Sequence, residues 1–190
     1  MKLIERKHYT DKLNSLRNKK IIKVITGVRR CGKSTLMQLF QKQLLDSGID
    51  KNCITTINFE NYDYFNLRQP KELYNYVNSR LISDTMNYIF LDEIQHVCNY
   101  ADVVDALFIK ENTDIYITGS NAYLLSSEIA TLLSGRFIEI HVLPLSFKEY
   151  VSAAENGKDI DRHYSDYITF SSFPYAIEFD KSEYLTNDYI

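Results

Sequence analysis

The sequence contains no run of about eighteen consecutive apolar residues, so it offers no segment able to cross a bilayer as a helix. Its opening, Met1-Lys2-Leu3-Ile4-Glu5-Arg6, lacks the apolar centre of a secretory signal. The reading is a cytoplasmic protein with no membrane partner. Cysteine is scarce too. Cys31, Cys53 and Cys98 form no Cys-x2-Cys pair and no set with histidine at ligand spacing, which argues against structural zinc and for a reducing compartment. Internal repeats and low-complexity segments are absent. What remains is a chain of 190 residues, 45% hydrophobic, with ample core for one domain or for one domain and part of a second.

Charge is unevenly spread. Residues 1–35 hold eleven Lys and Arg against Glu5 and Asp11, although the whole chain has a net charge of −3. A basic end can attract nucleic acid phosphates. The plainer reading is a solvated face that partly serves a bound nucleotide. Charge reversal at Lys19, Lys20 and Lys23 would separate the two.

One stretch organises the rest: Gly27-Val28-Arg29-Arg30-Cys31-Gly32-Lys33-Ser34-Thr35. It satisfies Gly-x4-Gly-Lys-[Ser/Thr] at every fixed position. The glycines let the backbone curl so that successive N–H groups face phosphate oxygens. A helix beginning near Lys33 adds the positive end of its dipole. Lys33 would reach the β- and γ-phosphates of ATP, and the Ser34 hydroxyl would hold Mg²⁺. Cys31 reads as a small loop residue rather than as a redox switch.

The flanking patterns support this. Residues 21–26 read as a buried strand, and Ser34 to Leu45 as a helix with Leu36, Leu39, Phe40 and Leu44 on one face. A short helix is expected over Tyr9–Leu16, capped by Thr10 or Asp11. Further strands are expected at 53–59, 88–91, 114–118 and 136–142, the last at an edge. Helices are expected from Pro70 to Ile82, Ala101 to Ile109 and Leu124 to Leu133. Glu60–Gln69 reads as a polar, tyrosine-rich connection. The alternation implies an α/β fold with a doubly wound parallel sheet and its site at the carboxyl ends of the strands. It stops near residue 144, where Ser146-Phe147-Lys148-Glu149 resembles a capping box that opens a helical region.

Leu91-Asp92-Glu93 ends the third strand. Asp92 would help hold Mg²⁺, and Glu93 would polarise the attacking water. Thr118-Gly119-Ser120-Asn121 ends the fourth, where Ser120 or Asn121 would orient that water or simply cap a helix. Arg136 is either an arginine finger for a neighbouring subunit of a homo-oligomer or a partner of a local acid such as Glu139. Arg29 and Arg30 are read as solvating the loop. His96 is read as a loop residue, and Tyr62, Tyr64, Tyr74 and Tyr76 as composition rather than a base-stacking platform.

These blocks together resemble the AAA-like prokaryotic P-loop ATPases whose ATP-binding domain is usually fused to a nuclease-like C-terminal domain. The resemblance runs through Val24–Leu36, Phe90–Gln95, Ile117–Ala122, Leu133–Phe137 and Leu143–Tyr150, in the family's order. It implies a five-stranded sheet of order 5-1-4-3-2, an ATPase core over 1–143 and the start of a helical lid or linker over 144–190. It implies ATP and Mg²⁺ at Gly27–Thr35, with Lys33, Glu93, Asn121 and Arg136 as catalytic residues and Ser34 and Asp92 on the metal. Serine is common in the family where Cys31 stands. Ser171-Ser172-Phe173-Pro174 replaces a Gly-Gly-Phe-Pro-like segment. Chains of that kind continue beyond the point where this one stops, so an N-terminal fragment is expected, acting as an ATPase on a DNA or protein client or as an ATP-gated switch.

Overall fold

The structure is a computed structural model, and it describes residues 4–119, 133, 135–153, 159–170 and 172–174. The chain enters through α1 (Lys7–Leu16) and then alternates. β1 (Ile22–Thr26) is followed by α2 (Lys33–Asp46), β2 (Ile54–Asn58) and α3 (Pro70–Asn78). Next come β3 (Asn87–Asp92), α4 (Tyr100–Phe108) and β4 (Thr113–Thr118). β5 (Phe137–His141) closes the sheet, and α5 (Phe147–Ala153) and α6 (Ile160–Phe170) follow it.

All five strands are parallel, in the order β2-β3-β4-β1-β5. That is the expected order read from the other edge. Alternation along each strand sends side chains to two separate cores. Ile89 and Leu91 of β3 join Leu73, Val77, Val104 and Leu107 of α3 and α4 on one face. Tyr88 and Phe90 join Leu13, Leu36, Phe40 and Leu44 of α1 and α2 on the other. Strands covered on both faces need continuous apolar runs, and β1, β3 and β4 are buried throughout. The edge strand β5 is only half-buried until Ile140, as its alternation of Phe137 and Glu139 suggests.

Several local expectations are revised. α1 starts at Lys7 with no side-chain cap. Thr10 bonds back to the Lys7 carbonyl and Asp11 pairs with Lys7, so neither caps the helix. α3 ends at Asn78, before Leu81 and Ile82. The polar stretch after β2 is a 3-10 segment, Tyr62–Arg68, in which Asn61 accepts from the Asp63 N–H. The capping box is present as expected. The Ser146 N–H donates to Glu149 Oε2 at 2.8 Å, and the Glu149 N–H donates to Ser146 Oγ at 3.3 Å. The helix expected over Leu124–Leu133 lies outside the described residues except for Leu133, which is buried.

The basic amino end is not one solvated face. Lys23 is fully buried and paired with Asp114, and Arg6 is 2% exposed. A strand between two neighbours has no route to solvent for an inward side chain, so Lys23 is internal and not a nucleic-acid contact.

Candidate functional site

β1 delivers the chain into a tight loop at the carboxyl end of the sheet. Gly27 has φ +145°, and a Cβ there would sit 2.2 Å from the Val142 carbonyl oxygen and 2.8 Å from Cys31 Sγ. Only glycine fits. Gly32, at φ 99°, turns the chain into α2, and Leu36 N–H closes the first helical turn on the Gly32 carbonyl at 2.9 Å. Cys31 lies beneath the loop with no exposed surface, and burial pushes its thiol pKa up, so it is packed and unreactive. Val28, Arg29 and Arg30 are exposed along the loop's outer side, while Ser34 and Thr35 are half-buried at the start of α2.

Lys33 is buried, with its ammonium donating to the carbonyls of Gly27 at 3.2 Å and Val28 at 3.3 Å. Its Nζ lies 3.8 Å from Glu93 Oε1. The loop lysine and the strand-end acid therefore meet, although sixty residues separate them.

Asp92 is the hub. Its carboxylate accepts hydrogen bonds from the hydroxyls of Thr118 and Ser34 and from Asn58 Nδ2 at 3.1 Å. Burial pushes its pKa up, against the pull of the Thr118 and Ser34 hydroxyls, and the nearby charges of Glu93 and Glu60 push the same way. Glu93 follows in the left-handed region, at φ 56° and ψ 50°. A glutamate rarely adopts that conformation, and such strain is characteristic of sites where a side chain must be aimed. The conformation is held by Glu93 N–H donating to Thr118 Oγ1 at 3.0 Å and by Gln95 Nε2 donating to Glu93 Oε2 at 2.6 Å.

From sequence, Thr118 falls in the stretch that ends the fourth strand and Asn58 in no site, and neither has an assigned role. Both end strands that flank β3, and Asn58 pairs in register with Asp92. The sheet order was the signal that could have found them. Ser120 and Asn121, of which one is expected as the sensor, lie outside the described residues. His96 ends a 3-10 turn (Ile94–His96) and is exposed.

Arg136 is placed elsewhere. It sits at the amino end of β5, where its carbonyl accepts from Ile22 N–H. A five-residue parallel strand separates it from its own phosphate loop by roughly 15 Å. Its guanidinium pairs with Asp105 of α4 rather than with Glu139, which instead accepts from the Thr26 hydroxyl. Arg136 therefore has no part in the site of its own chain.

Among the depressions that the described residues form, two bear on the site's surroundings. An open groove of about 740 Å³ follows the exposed edge of β2, remote from the loop, between Leu45, Thr56 and Arg80. A cleft of about 440 Å³ opens beside Arg6, between Tyr9, Pro144 and Tyr167, close to the phosphate loop. No helix among the described residues is long and apolar enough to cross a membrane.

A parallel sheet with a glycine loop at the end of β1, its lysine against a strand-end glutamate and its serine against a strand-end aspartate defines a P-loop ATPase. Residues 19–151 match the family model described as an AAA domain (AAA_14), and the chain belongs to that family. An uncharacterized protein of Haemophilus influenzae is 39% identical over 183 residues, which cover 94% of this chain and 46% of the relative. The Methanocaldococcus jannaschii protein MJ1544 is 38% identical over 165 residues, covering 80% of this chain and 35% of its own length. The chain thus spans about half or less of these curated relatives. Among solved structures, the Walker-type ATPase PABY2304 of Pyrococcus abyssi superposes with a TM-score of 0.62 at 17% identity, over 92% of this chain and 65% of that one. At that identity the likeness is one of fold.

Proposed function

We propose that this domain binds ATP with Mg²⁺ and hydrolyses it, coupling turnover to a conformational change on a DNA or protein client. The observation that carries the reading is the convergence of Lys33, Ser34, Asp92 and Glu93 at one point beside the phosphate loop. The donor set suits a small hard cation, because the Asp92 carboxylate and the Ser34 hydroxyl already lie within hydrogen-bond distance of each other. Among the described residues no cluster of three His, Cys, Asp or Glu is arranged to hold a metal. Ser34 and Asp92 would therefore share Mg²⁺ with phosphate oxygens and water, and Mg²⁺ would neutralise charge between the β- and γ-phosphates.

The chain's own residues then divide the work. The loop N–H groups and the α2 amino end hold the phosphates. Lys33 turns from the Gly27 and Val28 carbonyls to the γ-phosphate, which also releases Glu93. Freed of that ammonium, Glu93 accepts a proton from the attacking water, held in aim by Gln95 and the Thr118 hydroxyl. Arg136, remote from its own loop, would act only in a homo-oligomer, on the γ-phosphate of a neighbour.

Phosphate release from Mg²⁺ and ATP tests this, measured for the parent beside Glu93→Gln and Lys33→Ala. Turnover by the parent, binding without turnover by Glu93→Gln and lost binding in Lys33→Ala are the expected results. A parent that binds ATP but releases no phosphate at any protein concentration would instead be an ATP-gated switch.

A further inference from the structure

Arg6 lies outside the phosphate loop in sequence, and its role is carried by five hydrogen bonds made from an almost fully buried guanidinium. Nη1 donates to the Cys31 carbonyl at 3.0 Å. Nη2 donates to the carbonyls of Leu143 at 2.9 Å and Pro144 at 3.3 Å, and to Glu149 Oε2 at 3.3 Å. Nε donates to Glu149 Oε1 at 3.1 Å. One side chain thus joins three segments: the phosphate loop, the exit from β5 and the first turn of α5.

The bond to Cys31 has a directional consequence. A trans peptide is planar, so its carbonyl and the following N–H point in opposite directions. With the Cys31 carbonyl turned to Arg6, the Gly32 N–H is aimed away from it, toward the side from which a phosphate would approach. A cation on the carbonyl also polarises the peptide and strengthens that N–H as a donor. Gly32 itself, at φ 99°, has no side chain to resist rotation of this peptide. Arg6 supplies the restraint.

The other end of the clamp is Glu149. Burial alone would raise its carboxyl pKa, but the Arg6 guanidinium and the Ser146 N–H and hydroxyl hold it below the usual carboxylate range. The same carboxylate closes the capping box of α5, so the helix start and the loop peptide share one ion pair.

We propose that Arg6 is a positioning residue for the nucleotide. It sets the Gly32 N–H for phosphate and transmits the loop's state to α5 through Glu149. This rests on the ATP-binding reading above.

The test is titration calorimetry of the chain with Mg²⁺ and ATP, for the parent, Arg6→Lys and Glu149→Gln, each below its unfolding temperature. Amide hydrogen exchange across residues 147–153 is followed with and without nucleotide. Lysine keeps the charge but cannot reach all three segments, so its Kd for ATP should rise about tenfold, the size of one charged hydrogen bond. Glu149→Gln should weaken binding about threefold, and nucleotide should no longer slow exchange in α5. If Arg6→Lys does not fold, Glu149→Gln decides the matter alone. Variants that unfold earlier yet bind with the parent's Kd and keep the exchange response would overturn the proposal and leave Arg6 a structural tie. A parent that binds no ATP would overturn the nucleotide reading, and the positioning role with it. Parent binding combined with unaffected variants would overturn the positioning role alone.

Discussion

Two lysines on either side of the phosphate loop meet carboxylates at opposite ends of one sheet, and they do different things. Lys23 and Asp114 pair at the amino end, each with no exposed surface. Both partners are tied further. Lys23 also donates to the Lys19 carbonyl at 2.9 Å, and Asp114 Oδ2 accepts from Asn18 N–H at 2.8 Å and Tyr116 Oη at 2.9 Å. Lys33 and Glu93 meet at the carboxyl end at 3.8 Å, with 5% and 15% of their side chains exposed. Their contact is long, Glu93 stands in a left-handed conformation, and Lys33 rests on loop carbonyls. A close pair sealed from solvent holds the fold. A loose pair at a strand end can exchange partners, which is what a phosphate-binding site requires.

The largest expected effect falls on the loose pair. Glu93→Gln should lower ATP turnover about a thousandfold while the thermal midpoint stays close to the parent's, because a general base is lost and little packing changes. Equal loss of stability and turnover would erase the distinction between the two pairs. Lys23→Met should show the reverse: about 3–5 kcal/mol of stability lost in denaturant unfolding, from a carboxylate left buried without its cation, with ATP affinity of the folded protein unchanged. Adding Asp114→Leu should recover much of that loss. A double variant as unstable as the single one would show that the pair itself, and not the orphaned charge, carries the stability.

Smaller effects sharpen the comparison. Thr118→Val removes the hydroxyl that bridges Asp92 and the Glu93 N–H, and turnover should fall about tenfold, with Thr118→Ser near the parent. The Arg6–Glu149 pair predicts a pH dependence of a particular sign. Its Glu149 carboxyl is held below the ordinary value of 4.5, so the pair's stabilisation is complete above that value and is lost as pH falls below it. Acid unfolding of Glu149→Gln should be correspondingly flatter. Smallest is Arg136→Ala. Its partly exposed pair with Asp105 should contribute under about 1 kcal/mol to stability. A large loss of turnover that appears only at high protein concentration would then mark Arg136 as acting between subunits.

Much of the site is legible in the sequence because its signals are local. The loop residues follow one another, Asp92 and Glu93 end an apolar run, and Ser146 and Glu149 are three positions apart on one helical turn. Asn58, Thr118 and Arg6 are not legible in that way. Each acts on a residue at least 25 positions away. Asn58 and Thr118 matter only because β2 and β4 flank β3. Arg6 and Lys23 were counted with the surface charge, since charged residues are mostly exposed, and nothing adjacent to them in the chain reveals a buried acid. For Arg136 the sequence leaves open a finger for a neighbouring subunit or a pair with a local acid such as Glu139, and only the packing of β5 and α4 shows that the acid it meets is Asp105.

The sequence alone determined that this chain builds a parallel α/β sheet with a phosphate loop and two strand-end acids, because glycine spacing and apolar runs act over a few residues. Which polar groups are sealed and which stay exchangeable was decided only by the tertiary structure. Strand order and the packing of α1 against the segment between β5 and α5 set the solvent access and partners of each charge, and those two quantities determine whether a lysine and a carboxylate form a strut or a switch.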